Sequence, residues 1–301
     1  MGLTVEQRAF IVVCGAGLST ILGAMVVFSD RLVSLANKTF LASVLAIACG
    51  VMIFVAMIEI FVKSNLGFSD YGYSNSTAYA LATVCFFGGV LFYQIIDQTV
   101  HMMSNYANRN NEGGINIMDD EAMMDMAVKI AEEGKIKKIK EDGETEVKPP
   151  INVHMGMMVA IAIAIHNFPE GLATFVGTIA DPNVGAALAI AIGIHHIPEG
   201  LCVALPIFYA TGSRWKAFGF SLICGITGPI GAGFGWVVLQ DNFDDRAYGI
   251  VFGLVSGMVT IICLQELLPN AHRFDPEDKV TTKSLIFGMA IMAASLVLFV
   301  Y

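Results

Sequence analysis

Charge is what this sequence has least of. Only 14% of its 301 residues are charged and 55% are hydrophobic, whereas a soluble domain carries about a quarter charged residues. That scarcity argues against a soluble globular protein. It also excludes a nucleic-acid surface: 17 Lys and Arg stand against 26 Asp and Glu, with no basic stripe among them. Cysteine is sparse as well. Cys14, Cys49, Cys85, Cys202, Cys224 and Cys263 form no Cys-x-x-Cys pair and no short spacing of a zinc knuckle or disulfide framework. All six lie inside apolar runs and read as small packing residues. Two further signals are missing. The first apolar run is full length without a small-residue cleavage site, so it reads as a retained span, and the zincin helix signature His-Glu-x-x-His does not occur.

Long apolar runs are abundant. A helix needs roughly 20 apolar residues to cross about 30 Å of hydrocarbon, and eight such runs appear: Ala9 to Phe28, Phe40 to Val62, Ala78 to Val100, His154 to Ile179, Val184 to Ala210, Trp215 to Gln240, Tyr248 to Asn270 and Ser284 to Tyr301. Lipid offers backbone amides no partner, so each is predicted helical. The fold class is therefore an all-α polytopic membrane protein with eight transmembrane helices. Residues 1–100 hold helices one to three and 151–301 hold helices four to eight. Between them, 101–150 is rich in Asp, Glu and Lys and reads as a largely disordered loop. A short amphipathic helix is conceivable around Asp119 to Ile130.

Lys and Arg decide orientation. One set of loops holds Arg31, Lys38, the lysines of 101–150, Arg214, Lys216, Arg273, Lys279 and Lys283; the other holds only Arg8, Lys63 and Arg246. The basic set marks the cytosol. Both termini are thus expected on the non-cytosolic side and the 101–150 loop inside, in a plasma or organelle membrane. The lipid bilayer is the expected partner, with no nucleic acid.

One pattern occurs twice. Span four reads His166-Asn167-Phe168-Pro169-Glu170-Gly171 and span five His195-His196-Ile197-Pro198-Glu199-Gly200. His and Glu four apart share a helical face one turn apart. Each proline lacks an amide hydrogen, which frees the carbonyl of Ile165 or Ile194 from its usual partner. Both motifs fall near the middle of their spans, and a short connection makes the two helices antiparallel neighbours. Ionisable groups at that depth are costly unless paired, so they mark function by default. Imidazole with carboxylate and no thiolate suits zinc, iron(II), manganese, cobalt or cadmium, and argues against calcium or magnesium as the main cargo.

These motifs, the eight spans and the variable loop after span three resemble the ZIP (Zrt/Irt-like) family of divalent metal transporters, in particular its ZupT-like and GufA-like branch. The resemblance implies a ZIP-type helix bundle split three plus five by the cytosolic loop. It also implies metal movement into the cytosol by alternating access, of elevator type, with metal as transported substrate and no cofactor. A first metal site would comprise His166, Glu170, His195 and Glu199; Asn167 and His196, with the glutamates bridging, would frame a second. Two positions depart from the family: His196 stands where Asn or Asp is usual, and Gly228 precedes Pro229 where many relatives carry Glu. Gln265 and Glu266 resemble the family's exit-side segment, and Glu59, Asp97 and His101 are further pathway candidates near span ends. A homodimer is compatible with the resemblance.

An intramembrane metalloenzyme, a metal sensor and an ion channel are the competing readings of the same ligands. The enzyme would need an open metal position and a free base; the sensor would bind tightly without flux; the channel would pass current far above carrier turnover.

Overall fold

In a computed structural model of the chain, the described residues are 3–35, 38–109, 153–180, 182–239 and 244–299. They are almost entirely helical, with no strand among them. Eight long helices appear: α1 Val5–Phe28, α2 Lys38–Asp70, α3 Asn75–Arg109, α4 Val153–Ala180, α5 Pro182–Thr211, α6 Arg214–Leu239, α7 Asp245–Phe274 and α8 Thr281–Phe299. A short helix, Asp30–Leu35, follows α1. Six of the eight (α1, α2, α3, α6, α7 and α8) are long and apolar enough over their described residues to cross a membrane, and α5 contains the apolar stretch Ile192–Leu205. Residues 110–152, including the expected helix around Asp119 to Ile130, lie outside the described residues. Helix α3 continues through His101 to Arg109, past the Val100 boundary taken from hydropathy.

The two tryptophans mark the ends of α6. Trp215 and Trp236 are 74% and 44% exposed, and 21 residues at 1.5 Å per residue separate them by about 31 Å. That is one hydrocarbon thickness, and indole rings settle at its two interfaces. Apolar side chains such as Val84, Phe87, Leu91 and Ile95 lie exposed along α3, as lipid-facing residues do. Of those six membrane-length helices, α2 and α7 are the most enclosed.

Packing divides the helices into two groups, α1 with α4, α5 and α6, and α2 with α3, α7 and α8. Within each group glycines let backbones touch. A Cβ on Gly17 of α1 would meet the Gly225 carbonyl oxygen of α6 at 2.4 Å, and one on Gly225 would meet that of Gly17 at 2.7 Å. Among the described residues every tight glycine contact joins members of one group. The groups meet through α2 against α5, α4 against α7 and α5 against α8, with no tight glycine contact between them among the described residues. Close backbone approach is how membrane helices gain van der Waals contact that lipid cannot match.

The glycine contacts also repeat in register. Gly200 of α5 abuts the Thr20 oxygen as Gly171 of α4 abuts the Gly228 oxygen, and Thr20 and Gly228 each lie three residues beyond Gly17 and Gly225. Gly50 of α2 abuts Leu285 of α8 as Gly257 of α7 abuts Phe86 of α3. The contacts therefore map onto themselves when α1 exchanges with α6, α2 with α7, α3 with α8 and α4 with α5. Two π-helical segments obey the same exchange. Val55–Ile60 interrupts α2 and Cys263–Leu267 interrupts α7, with Glu59 nine residues after Gly50 and Glu266 nine after Gly257. The carbonyl at each segment's start is met from the other helix: Ser256 Oγ donates to Ala56 O at 2.7 Å, and Cys49 Sγ to Cys263 O at 3.7 Å. Ser256 and Cys49 are the residues just before Gly257 and Gly50.

Candidate metal centre

Helices α4 and α5 pack antiparallel within the first group and bring their Pro-Glu-Gly motifs together. The motif glycines set the distance. A Cβ on Gly171 would meet the Gly228 oxygen at 2.1 Å and one on Gly200 the Thr20 oxygen at 1.9 Å, so each glutamate sits one residue from a backbone-to-backbone contact. Gly228 is thus the surface on which Gly171 rests.

Glu170, His195, His196 and Glu199 converge. Each offers an atom within 4.8 Å of the others, and their exposures of 3%, 1%, 3% and 2% leave them without bulk water. Both imidazoles address one carboxylate oxygen: His195 Nε2 and His196 Nε2 each lie 3.1 Å from Glu170 Oε2. Across the cluster His195 Nε2 is 3.8 Å from Glu199 Oε1 and His196 Nε2 is 3.7 Å from Glu199 Oε2. The two rings stand edge to face, centroids 4.9 Å apart. Two carboxylates at this depth are strongly unfavourable unless protons or a cation lie between them and the imidazoles. The donor set of nitrogen and oxygen, without sulfur, is that of a borderline divalent ion.

The outer partners differ between the rings. His196 Nδ1 lies 3.0 Å from the Ala16 carbonyl oxygen of α1; a carbonyl only accepts, so this nitrogen carries a hydrogen, and Nε2 faces the glutamates, where a proton or a metal ion can lie between them. Asn167 is fully buried; its Nδ2 donates to the Cys224 carbonyl of α6 at 3.4 Å. Its Oδ1 is buried and has no hydrogen-bond partner among the described residues.

Those remaining sequence candidates whose side chains are described lie apart from this cluster. His166 lies on α4, but its side chain is outside the described residues, as is that of His101 on α3. Glu59 is 4% exposed in the α2 π segment, 3.9 Å from Lys63 Nζ; α2 runs on to Asp70, which puts Glu59 well inside the helix rather than near its end. Glu266, half-buried, occupies the equivalent π segment of α7 and accepts a hydrogen bond from Tyr93 OH of α3. Gln265 beside it is exposed and Asp97 half-buried. Glu59, Asp97, Gln265 and Glu266 are not among the four converging groups.

Hydropathy and motif spacing did not single out Ala16, Cys224 or Tyr93. The first two act through backbone carbonyls, and their only sequence trace is the glycine that follows each. His196 stands three residues before Glu199, the other spacing that shares a helical face, so its place beside His195 was legible in principle.

Comparison with known proteins accords with this geometry. A family profile described as ZIP Zinc transporter matches residues 5–296. Proteins named zinc transporter ZupT are similar along almost their whole length: that of Lysinibacillus sphaericus is 42% identical over 289 residues, covering 95% of each chain. That of Oceanobacillus iheyensis is 39% identical over 290 residues, covering 96% of this chain and 97% of the relative. That of Streptococcus mutans is 39% identical over 292 residues, covering 97% of both. These relatives are transporters and not enzymes. With the family profile matched from Val5 to Leu296 and relatives aligned nearly end to end, the chain belongs to the ZIP zinc transporter family.

Proposed function

We propose that this protein is a multi-pass carrier that moves zinc, or a chemically similar divalent transition metal, across a membrane into the cytosol. The observation that carries the reading is the meeting of two carboxylates and two imidazoles, all nearly inaccessible to water, between α4 and α5. Soluble zinc enzymes hold such ligands around an open coordination position for water. A carrier instead needs ligands that bind moderately and release on either side. In this reading Glu170, His195 and Glu199, with His166 one turn before Glu170, form the first site, and Asn167 and His196 adjoin it. All eight long helices span the bilayer, three before and five after the cytosolic 101–150 segment, with both termini outside. Glu59 and Glu266, on equivalent π segments of the second helix group, serve the outer and inner approaches.

Alternating access is read as an elevator movement. Helices α1, α4, α5 and α6 are locked to one another by glycine contacts, as are α2, α3, α7 and α8, while no tight glycine contact joins the groups among the described residues. Interlocked backbones resist slipping, and an interface without such interlocks resists it less. The metal-bearing group therefore moves as one body along the other.

Uptake into proteoliposomes, measured separately for zinc, iron(II), manganese, cobalt and cadmium, tests the function. Saturable influx of zinc, with smaller influx of some of the others, is expected. Absence of flux for all five, with tight binding retained, would turn the reading to a sensor.

A further inference from the structure

The internal exchange of helices pairs each side chain of the centre with a counterpart. Glu170 corresponds to Glu199 and His166 to His195, and Asn167 corresponds to His196, each three residues before its glutamate. Their anchors correspond too. Asn167 Nδ2 donates to the carbonyl of Cys224, and His196 Nδ1 to that of Ala16. Cys224 and Ala16 in turn precede Gly225 and Gly17, the reciprocal contact of α6 with α1. An asparagine amide nitrogen and a histidine Nδ1 occupy the same place on their side chains, two bonds from Cβ. The two residues thus make the same anchor, and they differ in what lies beyond it: only the imidazole has a second nitrogen.

That second nitrogen reaches the carboxylates, 3.1 Å from Glu170 Oε2 and 3.7 Å from Glu199 Oε2. We propose that His196 sets the metal preference of this centre. Held through Nδ1 by the Ala16 carbonyl, it presents Nε2 beside both glutamates as an additional nitrogen ligand for a divalent transition metal. The proposal rests on the carrier reading above and makes α1 part of the centre. A ligating imidazole whose other nitrogen donates to a backbone carbonyl has its tautomer and orientation fixed. Replacing an amide by an imidazole favours zinc and cobalt over manganese, which prefers oxygen donors. If His196 served only to tie α5 to α1, an asparagine there would serve equally well.

That difference makes H196N the decisive variant, because it keeps the anchor and removes the second nitrogen. In full-length detergent-solubilised protein, affinities for Zn2+ and Mn2+ are measured by chelator competition, with the visible absorption of bound Co2+ as a ligand-sensitive readout. H196N is expected to lower zinc affinity at least about tenfold, to lower manganese affinity less, and to weaken the Co2+ bands. An unchanged zinc-to-manganese ratio and Co2+ spectrum overturn the proposal. N167H, which adds an imidazole beside the Cys224 carbonyl, is expected to raise the zinc-to-manganese ratio; a ratio unchanged or lower counts against it even if H196N does not fold. E170A separates the two levels. Loss of metal binding in E170A with none in H196N rejects the role of His196 and leaves the carrier reading intact, whereas unaltered binding in both rejects both.

Discussion

A methyl group on Gly200 would come within 1.9 Å of the Thr20 carbonyl oxygen, and one on Gly171 within 2.1 Å of the Gly228 oxygen. Both oxygens belong to helix backbones, which cannot rotate aside as a flexible side chain does. G171A and G200A therefore force α4 from α6 and α5 from α1, with Glu170 and Glu199 one residue away. Overpacking of this kind costs about 1–3 kcal/mol. A Cβ on Gly219 meets nothing within 4 Å, so G219A on the same α6 is expected to stay within about 0.5 kcal/mol of the parent. Thermal melts of the three variants in one detergent check the ranking. A G200A melting point equal to that of G219A would remove the close-packing explanation.

At the scale of elements, the π segments and the α7–α8 turn are the informative places. The Ala56 carbonyl is met by Ser256 Oγ of α7 at 2.7 Å. S256A removes one of the two donors to that oxygen, leaving the Phe61 amide, and is expected to destabilise by about 0.5–1.5 kcal/mol. At the equivalent Cys49, a thiol is the weaker donor to Cys263; C49S is expected to be neutral or slightly stabilising. Denaturation of the two variants side by side checks that opposite response. In the turn before α8, Asp275 accepts from the backbone amides of Lys279, Val280 and Thr281 and from Thr281 Oγ1 at 2.8–3.1 Å. Partial burial pushes its carboxyl up, but those four donors outweigh this and hold it at about 2, below its ordinary 3.8. The contribution to stability is thus complete above the ordinary value and disappears as pH falls through about 2. Comparing the parent with D275N over that range, the parent's advantage is expected to shrink toward acid; a pH-independent difference would count against the carboxylate as the turn's anchor.

Over the whole molecule, sequence and structure agree where long-range periodicity and composition carry the signal. The duplicated His-x-x-Pro-Glu-Gly pattern falls on α4 and α5, and on α5 His195 Nε2 lies 3.8 Å from Glu199 Oε1 one turn away, while the His166 side chain on α4 is outside the described residues. The apolar runs located every long helix, with ends displaced at α2 and α3 because polar residues such as Lys63, Asn65 and His101 continue the helices beyond the hydropathy boundary. The division into two helix groups was not legible, because it depends on which glycines meet across helices distant in sequence. Nor was the internal correspondence: Thr20 matches Gly228, Cys49 matches Ser256 and His196 matches Asn167, so side-chain identity has diverged where backbone contact has not. Ala16 and Cys224 contribute through carbonyls, which every residue has, and no residue code could mark them.

The claim on which the rest depends is that metal crosses by way of the carboxylates of α4 and α5. Its most direct test is zinc influx into proteoliposomes containing either the parent or the E170A/E199A double variant, matched for protein content and orientation. Saturable influx by the parent and background influx by the double variant is the expected result; saturable influx by the double variant at the parent's rate would contradict it.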